Sequence, residues 1–380
     1  MESSNVVESG ALVDDPRLCF TAFDEFQSYR DNNFTKGVQA SPDNLCLLTN
    51  SEDHTIRIFE PPIDRDCANA HSVLQIKEPG STNDMKWYPH MNSAYPSTCC
   101  FLTTSKDQPI HLWDAYSGQL RASFRAFDHL DELTSATSIT FNPTADKIYA
   151  GFERMIRVFD LSRPSRDFES RPLAKTKKAK QGQRGLISSI HFNPDHSKYV
   201  YPPIRSFHGT TGLYAEDSGE ELMTLCTHEG RGITQVRFSY DGNLLFTAAR
   251  RDGRIHCWDI RQTNDILTTF HRKADTNQRI AFDLHCGGRY LISGSQDGRA
   301  LLFDIQKGVQ VSEKMRLSDA INGVSFFQDN CPLRIALCSG QRHYTVAPDM
   351  EEEEPMENDH QSTPQNVVQV YKYELKLSTL

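Results

Sequence analysis

The chain repeats one pattern of polar and apolar positions about every 45 residues. Each copy has a polar turn that contains an acid, then three or four alternating apolar residues, and finally an aromatic residue followed by an acid. The copies end at Glu60, Asp114, Asp160, Asp259 and Asp304. Alternation with a period of two is typical of a strand with one buried face. The pattern therefore predicts many short β-strands at a regular spacing.

A period of this length, with four short strands in each unit, is typical of WD40 repeats. One unit cannot bury its apolar faces alone, so the units must pack against one another. We count seven units between Phe34 and Tyr373 and predict an all-β fold, a seven-bladed WD40 β-propeller. The fourth unit is the most degenerate. Its first strand is predicted over residues 186–192 and its third over 212–214.

The positions of the seven units, together with the composition of the flanking residues, predict the domain boundaries. Residues 1–15 are predicted to be a disordered acidic tail, and residues 16–376 to form the propeller. Within the propeller, residues 16–30 are expected to supply the closing outer strand of the last blade, because an open strand edge invites aggregation. Residues 347–365, which include four consecutive glutamates, are predicted to form an acidic solvated loop inserted in that blade.

Recurring acids, histidines and tryptophans are interpreted as framework. An acid before the third strand can accept hydrogen bonds from turn amides. These acids are Asp53, Asp107, Glu153, Asp252 and Asp297. His129, His228 and His271 lie between units, where each can bridge to such an acid. Trp113 and Trp258 are expected to pack one blade against the next.

Composition narrows the function. The formal net charge is −9, so any nucleic-acid contact must come from a local patch. The chain has no phosphate-binding glycine loop, no Gly-x-Ser-x-Gly motif and no His-Glu-x-x-His motif, and its ten cysteines form no Cys-x-x-Cys pair. We therefore expect no enzyme, no cofactor and no metal site. No stretch approaches the roughly 20 apolar residues of a membrane span, so no membrane partner is expected.

Basic residues concentrate in the loops of three consecutive units, which propeller topology should bring to one rim. A basic rim with aromatic neighbours can bind the phosphates of a single strand or an RNA loop. The alternatives are a solvated basic face and, for residues 175–180, a nuclear-import signal. The candidate RNA-binding residues are Lys175, Lys177, Lys178, Lys180, Arg184, Arg231, Arg250, Arg251, Arg272, Lys273 and Arg279.

Several sequence segments are more specific than the general WD40 repeat. They are NNFTKG at 32–37, the stretch 109–133 that begins PIHLWDAYSG, TNQRI at 276–280 and INGVS at 321–325. In these phrases the chain resembles the telomerase Cajal body protein family, also called the WD-repeat protein antisense to p53. The resemblance covers roughly residues 32–342, and Arg250 and Arg279 lie within matching phrases.

The resemblance implies a non-enzymatic scaffold that recognises the CAB box of small Cajal body RNAs of the H/ACA type, and telomerase RNA in some lineages. It implies as partners these RNAs, H/ACA core proteins such as dyskerin, and the telomerase catalytic subunit. It also implies a monomeric propeller in a ribonucleoprotein, in the nucleus and its Cajal bodies, with shuttling to the cytoplasm. The residues leave one alternative open, a WD40 adaptor or substrate receptor that binds proteins without binding RNA.

Overall fold

A computed structural model describes residues 15–27, 32–62, 69–173, 185–194, 200–201, 204–205, 209–228, 230–329, 332–342 and 366–374. Three predicted features lie outside these residues. They are the acidic tail before residue 15, the lysine-rich run of residues 175–184 and the acidic insertion of residues 347–365.

The described residues form seven four-stranded antiparallel sheets, which we number in chain order and describe from inner to outer strand. Sheet 1 contains Thr35–Ala40, Leu47–Ser51, Thr55–Phe59 and Leu74–Lys77. Sheet 2 contains Thr82–Trp87, Cys100–Ser105, Ile110–Asp114 and Leu120–Phe124. Sheet 3 contains Ser138–Phe141, Lys147–Gly151, Met155–Asp160 and Glu169–Pro172.

Sheet 4 contains His191–Phe192, Val200–Tyr201, Thr210–Tyr214 and Glu221–Cys226. Sheet 5 contains Ile233–Phe238, Leu244–Ala249, Arg254–Asp259 and Thr268–His271. Sheet 6 contains Phe282–Leu284, Tyr290–Ser293, Arg299–Asp304 and Val309–Arg316. Sheet 7 contains Ile321–Phe326, Leu333–Ser339, Val368–Tyr373 and, as its outer strand, Arg17–Ala22 from the beginning of the described chain.

Short elements lie outside these sheets. Two-residue strands pair Ala126–Phe127 with Leu133–Thr134 in a hairpin between sheets 2 and 3. Single 3₁₀ turns cover Asp24–Phe26 and Pro96–Thr98. The architecture is therefore an all-β propeller.

Sheet 4 is the irregular member of the propeller. Its second and third strands are joined at one pair, Val200 with Tyr214. The single strand predicted over residues 186–192 is wrong, because Leu186–Ile187 pairs separately with Ile204–Arg205. Only His191–Phe192 remains as the inner strand. The other six sheets have longer ladders between all of their neighbouring strands.

The hydrophobic core lies between neighbouring sheets, where large aromatic rings pack edge to face or tilted. Phe270 of sheet 5 and Phe303 of sheet 6 have ring centroids 5.2 Å apart, and both rings are buried. Phe20 of the closing strand packs in the same way on Phe59 of sheet 1, at 5.9 Å. Burial of each side chain of this size stabilises the folded state by roughly 1.5–3 kcal/mol relative to leaving it exposed.

Polar side chains of the inner strands bond to the backbone of the next sheet. Gln235 accepts the N–H of Phe282 at 3.0 Å and donates to its carbonyl at 2.7 Å. Asp283 accepts the N–H of Phe326 at 2.8 Å. Similar bonds join four other junctions: Gln39 to Met85, Asp84 to Ile139, His191 to Phe238 and Ser325 to Ala40. Ser138 of sheet 3 donates instead to the carbonyl of Ile187, in the short strand that precedes sheet 4. These bonds hold the inner strands in fixed positions around a central channel.

Sheet 5 contains a buried chain of framework hydrogen bonds. The indole N–H of Trp258 donates to Thr247 Oγ1 at 3.3 Å, and His228 Nε2 lies 3.1 Å from the same hydroxyl. His228 Nδ1 lies 2.9 Å from a carboxylate oxygen of Asp252. Asp252 also accepts the turn N–H of Arg254 at 3.1 Å. In sheet 1, Asp53 likewise accepts the N–H of its turn, from Thr55 at 3.0 Å.

The framework differs from the prediction at several positions. Asp107 is exposed and its side chain makes no hydrogen bond within the described part of the chain, because Glu78 supplies the acceptor in sheet 2. Glu78 accepts from the indole N–H of Trp113 at 2.9 Å and from Ser105 Oγ at 3.1 Å. His129 and His271 are exposed and bridge to no turn acid among the described residues. Asp297 instead pairs with Arg299 at 3.4 Å.

Candidate functional site

One face of the propeller carries the connections between sheets. In antiparallel order, each inner strand leaves this face and the second strand returns to it. The loops between sheets and the turns between second and third strands therefore lie on the same side, which we call the connection face. The turns between first and second strands, and between third and outer strands, lie on the opposite face.

Five basic residues gather on the connection face at sheets 5 and 6. Arg231 precedes sheet 5, Arg250 and Arg251 lie in its turn, and Lys273 and Arg279 precede sheet 6. Backbone hydrogen bonds join these loops: the N–H of Arg250 donates to Gly232 at 2.9 Å and that of Arg251 to Thr276 at 3.1 Å. We call Arg231, Arg250, Arg251, Lys273 and Arg279 the basic cluster.

The members of the basic cluster differ in accessibility. Arg231, Arg251 and Lys273 are exposed, whereas Arg250 and Arg279 are half-buried and line the mouth of the central channel. Arg279 Nη1 lies 3.9 Å from Asp84 Oδ1 across the channel. Three of these cations can therefore meet a ligand on the surface, and two can meet one entering the channel.

Arg272 does not lie on the exposed rim, so that part of the prediction is wrong. Its side chain is buried, with 8% of the residue exposed, and Nη1 donates to Ser293 Oγ at 2.9 Å. Burial lowers the pKa of its guanidinium to about 10. Arg272 follows an outer strand and reaches a hydroxyl on the second strand of the next sheet, as His228 does toward Thr247. It is therefore a framework residue.

Five of the predicted candidates lie outside the described residues. They are Lys175, Lys177, Lys178, Lys180 and Arg184. The connection that carries them joins sheets 3 and 4, because it follows the outer strand Glu169–Pro172 and precedes the inner strand His191–Phe192.

The central channel has a volume of about 800 Å³ and is lined by residues from all seven sheets. Its charged lining consists of five cations and two carboxylates: Lys36, Lys86, Arg237, Arg250, Arg279, Asp84 and Asp283. The net charge of this lining is thus opposite in sign to that of the whole chain, −9. Sequence reasoning missed Lys86 and Arg237. The sequence does contain a signal for them. In each inner strand the cation lies two residues after a polar residue, Lys86 after Asp84 and Arg237 after Gln235, so both side chains are on the same face of the strand.

Lys86 is the cation without a partner in the channel. Its ammonium makes no hydrogen bond and no ion pair within 4.0 Å among the described residues. Burial lowers the pKa of Lys86; Asp84 opposes this effect, and Arg279 and Arg237 add to it. Arg237, by contrast, forms an ion pair with Asp283.

Other polar groups in the channel wall also affect what it can bind. Burial lowers the pKa of His191 to about 3, so the ring is neutral near pH 7 and its Nδ1 accepts the N–H of Phe238 at 3.4 Å. Asn50 Oδ1 and Thr82 Oγ1 are buried, and neither has a hydrogen-bond partner in the described structure. Both residues line the channel. Buried polar atoms of this kind normally have a partner, which can be a ligand or ordered water.

The described residues contain no group of three or more His, Cys, Asp or Glu side chains placed to hold a metal ion. Within the same part of the chain, no helix is long and apolar enough to cross a bilayer.

The amino-acid sequence is similar to a known repeat and to several known proteins. The WD domain, G-beta repeat, matches residues 219–259. Telomerase Cajal body protein 1 of Mesocricetus auratus is 41% identical over 343 residues, which cover 87% of this chain. The protein of the same name from Homo sapiens is 41% identical over 340 residues and 86% of the chain. Telomerase Cajal body protein 1 homolog of Drosophila melanogaster is 36% identical over 352 residues and 88% of the chain.

The chain is a WD40-repeat relative of the telomerase Cajal body proteins. This confirms the resemblance seen in its sequence phrases. The matches cover 62%, 60% and 61% of the hamster, human and fly proteins, so the chain spans about three fifths of their length. Neither the matched repeat nor the names of the relatives indicate an enzymatic family.

Proposed function

We propose that the chain is a non-enzymatic RNA-binding scaffold, and that residues 16–376 form one seven-bladed propeller. The blade count is supported by the seven four-stranded sheets and by hydrogen bonds between neighbouring inner strands at six of the junctions. The observation that carries the RNA-binding function is the basic cluster. Cations from two consecutive connections and one turn share the connection face, and two of them line the channel mouth, in a protein whose overall charge is negative.

The chemistry of the connection face suits a single-stranded loop better than a duplex. Arg231, Arg251 and Lys273 can hold phosphates, while unpaired bases stack on arginine planes or are read by amide groups. Asn277 is exposed beside Arg279 and supplies such an amide group at the channel mouth. Readout of this kind recognises a short motif displayed in a loop.

The biological setting rests on the family resemblance of the sequence, which the names of the relatives support only as far as telomerase and Cajal bodies. We propose that the motif is the CAB box of small Cajal body RNAs of the H/ACA type, with telomerase RNA as a further client. The scaffold then directs the ribonucleoprotein to Cajal bodies in the nucleus, and shuttles with it to the cytoplasm. The proposed partners are H/ACA core proteins such as dyskerin and the telomerase catalytic subunit, bound to one propeller. The lysine-rich run of residues 175–184 remains a candidate part of the interface.

The direct test is binding of an H/ACA-type hairpin RNA with a CAB box in its terminal loop. The variant Arg251→Gln/Lys273→Gln should bind more weakly than wild type. Each phosphate contact to a single strand contributes about −0.7 to the slope of log affinity against log salt, so the slope should fall by about 1.4. The matched control is Lys147→Gln/Lys307→Gln, which removes two exposed cations from the opposite face.

Equal affinities for both double variants would remove the basic cluster from the interface. A scrambled loop that binds as well as the CAB box would leave RNA binding but remove the proposed specificity. In cells, crosslinking and immunoprecipitation should enrich H/ACA-type RNAs at their terminal loops. No recovery of RNA above background would refute the RNA-binding function.

One observation favours the protein adaptor as a second candidate. The hairpin of Ala126–Phe127 and Leu133–Thr134 carries Leu130, which is 67% exposed, and the exposed Leu133. Exposed apolar side chains on a projecting hairpin are suited to a protein partner. If the adaptor is right, Leu130→Ser/Leu133→Ser should abolish partner recovery while Arg251→Gln/Lys273→Gln leaves it unchanged.

A further inference from the structure

The channel contains a cation whose position the fold does not explain. Arg279 and Arg237 both act on Lys86 with a charge of the same sign, and the ammonium of Lys86 has no partner within the described residues. Lys86 is half-buried, and a partly desolvated charge without a counter-ion destabilises the folded state. Packing and ring closure do not require it, because the junction beside it is bonded through Gln39 and Asp84.

The two carboxylates in the channel already have other partners. Asp84 accepts the N–H of Ile139 at 3.1 Å, and Asp283 accepts that of Phe326 at 2.8 Å. Asp283 is also paired with Arg237, and Asp84 faces Arg279. Neither carboxylate lies within 4.0 Å of the ammonium of Lys86, so the channel retains an excess of positive charge at Lys86.

We infer that the channel receives an unpaired nucleotide of the bound RNA, with its phosphate between Lys86, Arg237 and Arg279. The inference rests on the proposed RNA-binding function and extends the site from the connection face into the channel. Arg279 at the mouth and Lys86 deeper along an inner strand form a path for one phosphate group. A phosphate is the anion of nucleic acids, and lysine and arginine are the groups that bind it in proteins.

The size and the remaining polar groups of the channel fit a nucleotide. Pockets for small ligands enclose roughly 300–1,000 Å³, and the channel encloses about 800 Å³. Asn50 Oδ1 and Thr82 Oγ1 are acceptors without donors, on the wall formed by sheets 1 and 2. Ribose hydroxyls and base amino groups are donors of the type that these two atoms lack. A duplex cannot enter, so only a nucleotide extruded from a loop, or one at a strand end, can occupy the site.

Lysine footprinting tests the inference on the intact chain. An amine-reactive ester is added near neutral pH, with or without the CAB-box hairpin, and acylation is measured at each lysine by mass spectrometry. The hairpin should protect Lys273 on the face and Lys86 in the channel, and should leave Lys307 on the opposite face unchanged. A parallel sample contains inorganic phosphate in place of the hairpin, to test whether a free phosphate ion protects the same lysines.

The outcomes separate the inference from the proposed function. If the hairpin protects Lys273 but not Lys86, RNA binds the connection face without entering the channel. This result would overturn the inference but not the proposed function. Protection of Lys86 by inorganic phosphate but not by RNA would assign the channel to a free anion and also overturn it. An absence of RNA binding, with neither lysine protected, would refute the proposed function itself.

A variant distinguishes entry of RNA into the channel from mere covering of its mouth. Lys86→Gln should lower hairpin affinity about tenfold and reduce the salt slope by about 0.7. Its thermal midpoint should be equal to or higher than that of wild type, because the variant removes a half-buried charge that has no partner among the described residues. Lys307→Gln is the control and should change neither quantity. Wild-type affinity and slope for Lys86→Gln would show that RNA only covers the mouth, and would overturn the inference.

Discussion

The position that follows the outer strand of a sheet shows what can and cannot be predicted for a single residue. The residue that follows an outer strand reaches a hydroxyl on the next sheet, but its chemistry changes from sheet to sheet. It is Glu78 toward Thr103, His228 toward Thr247, and Arg272 toward Ser293. A histidine at this position was predictable from the repeat. Arg272 was placed on the exposed rim because an arginine in a connection is usually exposed, and only the structure shows the hydroxyl that it reaches.

His228 should be important for stability, and His271 should not. His228→Ala leaves the buried carboxylate of Asp252 and the hydroxyl of Thr247 without this partner, which should cost roughly 2–4 kcal/mol. His271→Ala removes an exposed ring and should change stability by less than about 0.5 kcal/mol. Denaturant unfolding measures both. A loss at His271 as large as that at His228 would contradict this assignment.

Asp252 should make the stability of the propeller depend on acid pH. Burial alone would raise the pKa of this carboxyl, but hydrogen bonds from His228 and Arg254 hold it well below the usual 3.8. A group with a lowered folded-state pKa stabilises the fold above its unfolded pKa, and this contribution is lost as pH falls below that value. Asp252→Asn should therefore be less stable than wild type at pH 7 by roughly 1–3 kcal/mol. The difference should shrink below about pH 4; a constant difference would exclude the carboxylate as the cause.

At the scale of elements, regular strands were predictable and irregular ones were not. The alternation in sheets 5 and 6 indicates the positions of their inner, second and third strands, and residues 16–30 are expected to supply a closing strand. In sheet 4 the predicted strand over residues 186–192 is split between two pairings. Its halves pair with residues further along the chain, and alternation within one segment carries no information on such partners.

The closing strand should tolerate changes on one face only. Phe20 is 1% exposed and packs on Phe59 of sheet 1, whereas Leu18 on the same strand is 41% exposed. Phe20→Ala should create a cavity where sheet 7 meets sheet 1 and cost roughly 3–5 kcal/mol. Leu18→Ala is the matched control and should cost less than about 1 kcal/mol, because it leaves no cavity. Similar losses for the two variants, measured by thermal unfolding, would mean that this strand does not pack as described.

For the whole molecule, function depends on where charge lies rather than on its sum. The candidate site became visible only when inner strands from distant parts of the chain were brought around one channel. Lys86, Arg237 and Asp283 belong to sheets 2, 5 and 6, and no local pattern connects them. The basic cluster was predictable because propeller topology fixes which loops share a face. The channel was not, since which inner-strand side chains meet depends on the registers of several sheets.

The described residues on either side of the acidic stretch at residues 347–365 lie on the connection face. Gln278 Nε2, beside Arg279, donates to the carbonyl of Gly340 at 2.9 Å, two residues before the described chain breaks off at Arg342. The side-chain amide of Asn366, where the chain resumes, donates to Asn32 Oδ1 at 2.8 Å. The described residues that flank the carboxylates of residues 351–354 in the sequence therefore lie on the face that carries the basic cluster.

Removing two of these carboxylates should speed RNA association. Glu351→Gln/Glu352→Gln and Asp217→Asn/Glu220→Gln each change the formal net charge from −9 to −7. The first pair lies in the sequence between Arg342 and Asn366, which are on the connection face, whereas Asp217 and Glu220 lie in a turn of the opposite face. At about 10 mM salt the Debye length is roughly 30 Å, so the first variant should associate with the hairpin several-fold faster. At about 1 M salt, where that length is roughly 3 Å, the difference should vanish. Stopped-flow fluorescence measures both rates, and equal acceleration by the two variants would mean that net charge, not its location, controls the encounter.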